Sequence, residues 1–194
     1  MNNTNENNII SNFIDKEFRF LSNSYPYFPD GTKANINLEV KYNGISFDCI
    51  TTAYIASKSD DKDFQIQLSK MTPFEAKKMS MKGLIETKEN WKENRIEIMR
   101  NLLNQKFVYN EYFKKLLLKT GEAELIAKDF LADQFWEIDK EYEIGEGKLG
   151  KELIQIREKL KEPPKIQGSH QKKDDETPLY FNNIEEYEKH YGKI

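Results

Sequence analysis

Apolar positions recur with two different periods along this chain, and the change comes near residue 50. Before it, Ile36, Leu38 and Val40 alternate with Asn37, Glu39 and Lys41, the period of two expected of a half-buried strand. Asn43-Gly44 then predicts a tight hairpin turn, and Ile45 and Phe47 continue the return strand. Phe18, Phe20 and Leu21 predict a further short strand. It is ended by the run Ser22-Asn23-Ser24-Tyr25-Pro26, with Pro29 and Asp30-Gly31 making a turn-rich loop. The N-terminal third therefore predicts a small antiparallel sheet.

From Thr51 onward the spacing is helical. Residues 51–59 predict a first helix. Residues 62–69 fit a helix or a strand, because Phe64, Ile66 and Leu68 are spaced by two. Thr72, Pro73 and Glu75 form an N-cap with proline at the first helical position, and predict a helix to about Met81, before Gly83. Residues 90–107 are the clearest helix, with Trp91, Ile98, Met99, Leu102 and Leu103 on one face. Residues 112–119 and 122–130 predict two shorter helices divided at Thr120-Gly121. Residues 136–147 read as an acidic loop, and 148–161 as a last helix that buries Leu149, Leu153, Ile156 and Leu160. The expected class is α+β and mainly helical, a small N-terminal antiparallel sheet with a helical body.

The 194 residues suit one domain plus a tail, at roughly 100–200 residues per domain. Residues 1–17 are expected to be a flexible, Asn-rich N-terminus, 18–162 the domain, and 163–194 a linker with a C-terminal docking segment. Within the last, 165–177 have linker composition, whereas 178–191 carry Leu179, Tyr180, Phe181, Ile184 and Tyr187. That segment reads as a small helix that docks on the body or on a protein partner. With 30 basic and 33 acidic residues, no global field attracts nucleic acid. One cysteine forbids an intrachain disulfide and points to a reducing compartment. The two histidines, His170 and His190, both fall in the tail, so a zinc site or a Ser-His-Asp relay in the body is not expected. The chain has no signal-peptide pattern and no apolar run of about 18 residues, which leaves the cytoplasm as the expectation and no membrane as a partner.

Candidate chemistry centres on Phe47–Lys58, where Thr51, Tyr54 and Lys58 fall three and four apart and share one helix face. A hydroxyl, a phenol and an amine are unusual on a core-facing stripe. Arg95 lies among the apolar positions of its helix. It either sits at the stripe's edge and reaches water, or points into a site and holds an anion. Trp91 and Trp136 are packing residues or stacking surfaces for a planar base. Asp133 is a helix cap or an acid/base group. Gly145-Glu146-Gly147, ahead of a helix, offers backbone N–H groups to an anion or is a plain loop. There is no GxGxxG, Walker loop or HExxH.

Six stretches in order resemble the YbiA-like family, also called the NADAR superfamily, between about Phe20 and Leu160. They are FLSNSYP from Phe20, AYIASK from Ala53, NWKENRIEIMRNLLNQKF from Asn90, LLLKTGEAEL from Leu116, ADQFW from Ala132 and GEGKLGKELIQIREKL from Gly145. The resemblance implies a mainly helical α+β fold and an N-glycosidase. Some members cleave phosphoribosylamino-pyrimidine intermediates of riboflavin synthesis, and others remove ADP-ribose from guanine. It maps a Schiff-base lysine onto Lys58 and leaves Asp133 as acid/base. Trp91, Tyr54 and Trp136, with Thr51, would face base or ribose. Arg95, Asn23, Tyr25 and the Gly145 loop would hold phosphate or ribose hydroxyls. The ligand would be a small nucleotide-sugar, with no cofactor and no metal, and nucleic acid only as ADP-ribosylated guanine. The chain departs from the pattern E-H-A-Y-Q, whose glutamate falls on Thr51, histidine on Thr52 and glutamine on Ile55, and from G-x-N, whose asparagine falls on Gly147. A threonine holds no charge near neutral pH. The alternative is therefore a catalytically silent module that binds a nucleotide-sugar or a protein.

Overall fold

The computed structural model describes residues 8–11, 13, 17–129, 133–139 and 141–162. One compact unit spans Met1–Lys161 and a second Glu162–Ile194. The predicted linker and the docking segment at 178–191 lie outside the described residues.

Among the described residues there are six α-helices and six short strands, an α+β fold that is mainly helical. The predicted hairpin forms from β2 (Val40–Tyr42) and β3 (Ile45–Phe47), paired antiparallel with Tyr42 opposite Ile45. Asn43 and Gly44 both take positive φ, 51° and 74°, which the two-residue turn demands. Ile36 and Leu38 keep the alternation by facing inward more than their neighbours, yet only Val40–Tyr42 has a ladder partner.

Three expectations are corrected. The strand expected at Phe18–Leu21 is a 3₁₀ turn, Arg19–Leu21, which buries all three of its residues. The N-terminal segment is not wholly flexible. β1 (Ile9–Ile10) pairs in parallel with β4 (Glu124–Leu125), and Ile10 and Phe13 are buried. The helix expected over 122–130 is instead β4 and β5 (Lys128–Asp129), the latter paired with β6 (Ile138–Asp139). Ala123, Leu125 and Ala127 are buried in alternation, a period of two that the composition disguised.

The helices follow the sequence closely. They are α1 (Ile50–Ala56), α2 (Lys62–Ser69), α3 (Pro73–Met81), α4 (Trp91–Phe107), α5 (Glu111–Lys119) and α6 (Lys148–Lys161). α2 resolves the helix-or-strand choice: Asp61 caps it through Asp63 N and Phe64 N, and only Gln65 and Leu68 are buried. α3 opens on a full capping box between Thr72 and Glu75 with proline in its first turn. α6 crosses β4 so closely that a Cβ on Gly150 would lie 1.8 Å from Leu125 O. Arg157, 2% exposed, fastens that contact by donating to Thr120 Oγ1 and Ala123 O, both at 2.9 Å. Around the central α1, every residue of which is buried, pack α2, α3 and α4. No helix of the described residues is long and apolar enough to cross a membrane.

Candidate functional site

The start of α1 is held by a loop rather than by a side-chain cap. Cys49 at the N-cap is extended and makes no capping hydrogen bond, and Thr51 N donates instead to Asn23 O at 3.0 Å. Ser24 Oγ and Thr51 Oγ1 share a hydrogen bond of 3.0 Å. The loop is anchored from below by α4, where Lys106 Nζ donates to Ser22 O at 2.8 Å. Asn23 and the first turn of α1 are thereby fixed on the same wall.

That wall belongs to a cavity of about 230 Å³. Asn23, Thr51, Tyr54, Lys58, Asp133 and Trp136 all line it, six of the ten site residues expected from sequence. The stripe of hydroxyl, phenol and amine on α1 thus faces open space. Trp136 donates its indole N–H to Tyr54 Oη at 2.6 Å, with the rings edge to face at 87°. Burial, chiefly, pushes the Tyr54 phenol above its ordinary range. Asn23 Nδ2 lies 3.5 Å from Met99 Sδ, while its buried Oδ1 finds no partner among the described residues. A buried carbonyl oxygen in that position costs roughly 1–3 kcal/mol unless a ligand donates to it.

Lys58 follows the last turn of α1. Its Nζ donates to Ser80 Oγ of α3 at 2.8 Å and sits 4.9 Å from the centre of the Trp91 ring. Burial lowers its pKa, Asp133 opposes that shift, and Arg95 adds to it. Trp91 is 6% exposed and is fixed by its N–H to Ser57 Oγ at 2.9 Å, with its ring tilted on Tyr54. It backs Lys58 and Tyr54 without lining the cavity.

Asp133 is not a helix cap. It heads a tight turn in which its Oδ1 accepts from Phe135 N, and its backbone carbonyl accepts from Trp136 N and Glu137 N. The next residue of that turn to matter is Phe135. The Arg95 guanidinium stacks on its ring at 3.3 Å, and Lys148 Nζ lies 3.7 Å from the same ring centre. Arg95 Nε is buried and has no hydrogen-bond partner among the described residues. Arg95 is half-buried and held on an aromatic ring beside the cavity.

Two expected residues lie elsewhere. Tyr25 packs edge to face on Phe113 and Phe28, with Lys106 Nζ 5.6 Å from its ring. It supports the loop from the core. Gly145 takes φ +150°, and a Cβ there would lie 2.2 Å from Glu137 O. Its role is close packing of the 143–147 loop on the 134–138 turn, where Glu146 N donates to Gln134 O at 2.7 Å.

Sequence reasoning missed the wall contributed by α3. Lys77, Ser80 and Met81 line the cavity, three and four residues apart on one face, and that spacing was readable. Glu137 was missed as well. It lines the cavity beside Trp136 and pairs with Lys77 at 3.5 Å. Ile55 and Met99 complete an apolar part of the lining.

Comparison with known proteins bears on the family and the fold. The chain is 28% identical over 149 residues to a riboflavin biosynthesis protein of Vibrio vulnificus, an alignment covering 76% of this chain and 37% of that protein. It is 28% identical over 100 residues to an N-glycosidase of Nostoc punctiforme, covering 52% of this chain and 63% of that protein. The chain therefore spans less than two thirds of either relative. The NMR structure of the E. coli protein YbiA superposes with a TM-score of 0.63 at 22% identity, covering 79% of this chain and 85% of YbiA, a likeness of fold. The NADAR domain model matches residues 4–161, and on that match this chain belongs to the NADAR domain family.

Proposed function

We propose that this chain is an N-glycosidase that cleaves the bond between ribose C1 and the nitrogen of a base, on phosphoribosyl or ADP-ribosyl substrates. The observation that carries the reading is Lys58, an amine of lowered pKa on a cavity it shares with Asp133, Tyr54 and Trp136. The names of the two relatives, a riboflavin biosynthesis protein and an N-glycosidase, support the same chemistry.

A neutral amine is a nucleophile, and burial raises its neutral fraction at a given pH. Lys58 Nζ adds to C1 of the ring-opened sugar and forms an N–C1 bond. The adduct expels the base, whose nitrogen takes a proton from Asp133. Water then hydrolyses the C1=Nζ iminium and returns the free lysine. Tyr54 and Trp136 flank the sugar, Asn23 Oδ1 accepts from a hydroxyl, and Arg95 leaves its ring to meet a phosphate. Thr51 favours a second reading, a silent nucleotide-sugar binder, because its hydroxyl is uncharged and already engaged with Ser24.

Incubation with a ribosylamino-pyrimidine phosphate, and separately with ADP-ribosylated guanosine, distinguishes the two. Release of free base from either supports the glycosidase. No release from either overturns it, and binding without release moves the assignment to the second reading.

A further inference from the structure

Thr51 leaves α1 without a carboxylate on the cavity, yet the cavity has one that the scheme above does not use. Glu137 closes the turn that Asp133 opens. Its side chain is 9% exposed, and its Oε2 accepts from Lys77 Nζ at 3.5 Å and from Asp133 N at 3.3 Å. Lys77 comes from α3, the helix that also supplies Ser80 to Lys58. One helix therefore supports both the amine and this carboxylate. A buried carboxylate is costly and is kept only where a charge partner and hydrogen bonds hold it. Glu137 has both, and it still faces the cavity. Breaking an N-glycosidic bond through a lysine adduct needs a base for the water that ends the cycle. Asp133 is the acid of the first half, and Glu137 is a second carboxylate on the same cavity, held by α3 beside Lys58.

We infer that Glu137, held by Lys77, is the catalytic base for the second half of the reaction, supplying the carboxylate that Thr51 does not. Water adds to the C1=Nζ iminium: the O–C1 bond forms, one water proton passes to Glu137, and the π pair returns to Nζ. Glu137 gives that proton to Nζ. The C1–Nζ bond then breaks with its electrons on nitrogen, the hydroxyl proton passes to Glu137, and the sugar leaves as its aldehyde; Glu137 then loses that proton to solvent and Asp133 takes one up from solvent, which restores both groups. This assignment rests on the N-glycosidase reading.

The test follows base release and borohydride-trapped adduct in the full chain with ribosylamino-pyrimidine phosphate. Glu137→Gln is expected to release about one equivalent of base per protein and then stall, with turnover down roughly hundred- to ten-thousand-fold. The trapped adduct on Lys58 rises above the wild-type level, and sodium formate restores turnover to Glu137→Ala. Loss of the burst and the adduct together, with no rescue by formate, assigns Glu137 a structural role and overturns the inference. So does wild-type turnover in Glu137→Gln. Lys77→Met keeps the carboxylate and removes a group that positions it, so base release keeps its burst while the trapped adduct on Lys58 again rises above the wild-type level. An unchanged adduct level in Lys77→Met also overturns the inference. A wild-type protein that releases no base defeats the glycosidase reading and this one with it. Wild-type activity with an unaffected Glu137→Gln defeats this one alone.

Discussion

Lys58 and Lys106 both withdraw from bulk water, but Lys58 lines the cavity whereas Lys106 is fully buried. Lys106 is fully buried, donates to Ser22 O, and lies 5.0–5.6 Å from the centres of the Phe107, Phe113 and Tyr25 rings. Burial takes its pKa down to about 7, opposed by the Cys49 thiol and assisted by the Arg19 guanidinium. Lys58 is lowered too, for the same leading reason. A depressed amine is therefore not in itself a nucleophile. Lys106 has no exposed surface among its aromatic neighbours, and its amine holds a loop in place. The Lys58 amine has a hydroxyl on one side, an indole face on another, and open space beyond.

Four substitutions test the contrast between the two lysines. Lys58→Met abolishes base release and the trapped adduct while the melting temperature holds, measured by product chromatography and thermal unfolding. In the wild type, turnover rises with pH as the Lys58 amine deprotonates, over a limb lying below the ordinary lysine value of 10.5. Asp133→Asn loses roughly hundred- to ten-thousand-fold in kcat, and a weaker effect in the same assay removes Asp133 from proton transfer. Arg95→Ala weakens binding of the phosphorylated substrate by about 1.5–3 kcal/mol, the usual worth of a hydrogen bond to a charged group, read by calorimetry; unchanged affinity removes it from anion binding.

Lys106→Met affects turnover least and changes the pH dependence of stability most. The folded pKa of Lys106 lies below the unfolded value of 10.5, so between about 7 and 10.5 the unfolded chain binds more protons. Wild-type stability relative to the variant therefore rises with pH across that window, by at most about 1.4 kcal/mol per unit. Below the window the full burial penalty is present and the slope is lost. Denaturant melts at several pH values check the sign.

Much of the body was legible because its signals are local. Asn43-Gly44 fixed the hairpin, the Thr72–Glu75 box started α3, and the periods of α4 and α6 placed their buried faces. The 122–130 segment was misread because its partner strand, Ile9–Ile10, stands at the other end of the chain and no local pattern announces it. The α1 face of the site was legible for the opposite reason: a hydroxyl, a phenol and an amine together on one helix stripe are a local and unusual pattern. The second wall was not. Lys77, Ser80 and Met81 share a face, but only the packing of α1 on α3 aims that face at Lys58. Gly145 was open to an anion-site or a plain-loop reading, and the 2.2 Å clash that a Cβ would make there gives a packing reason for glycine that no local pattern shows. Arg95 depended on Phe135, a residue no periodicity linked to it.

The most direct test of the account is peptide mapping after borohydride reduction in the presence of ribosylamino-pyrimidine phosphate. One sugar is expected on the peptide carrying Lys58, none on the peptide carrying Lys106, and free base released with it. Base release with no adduct on Lys58, or an adduct on Lys106 instead, contradicts it.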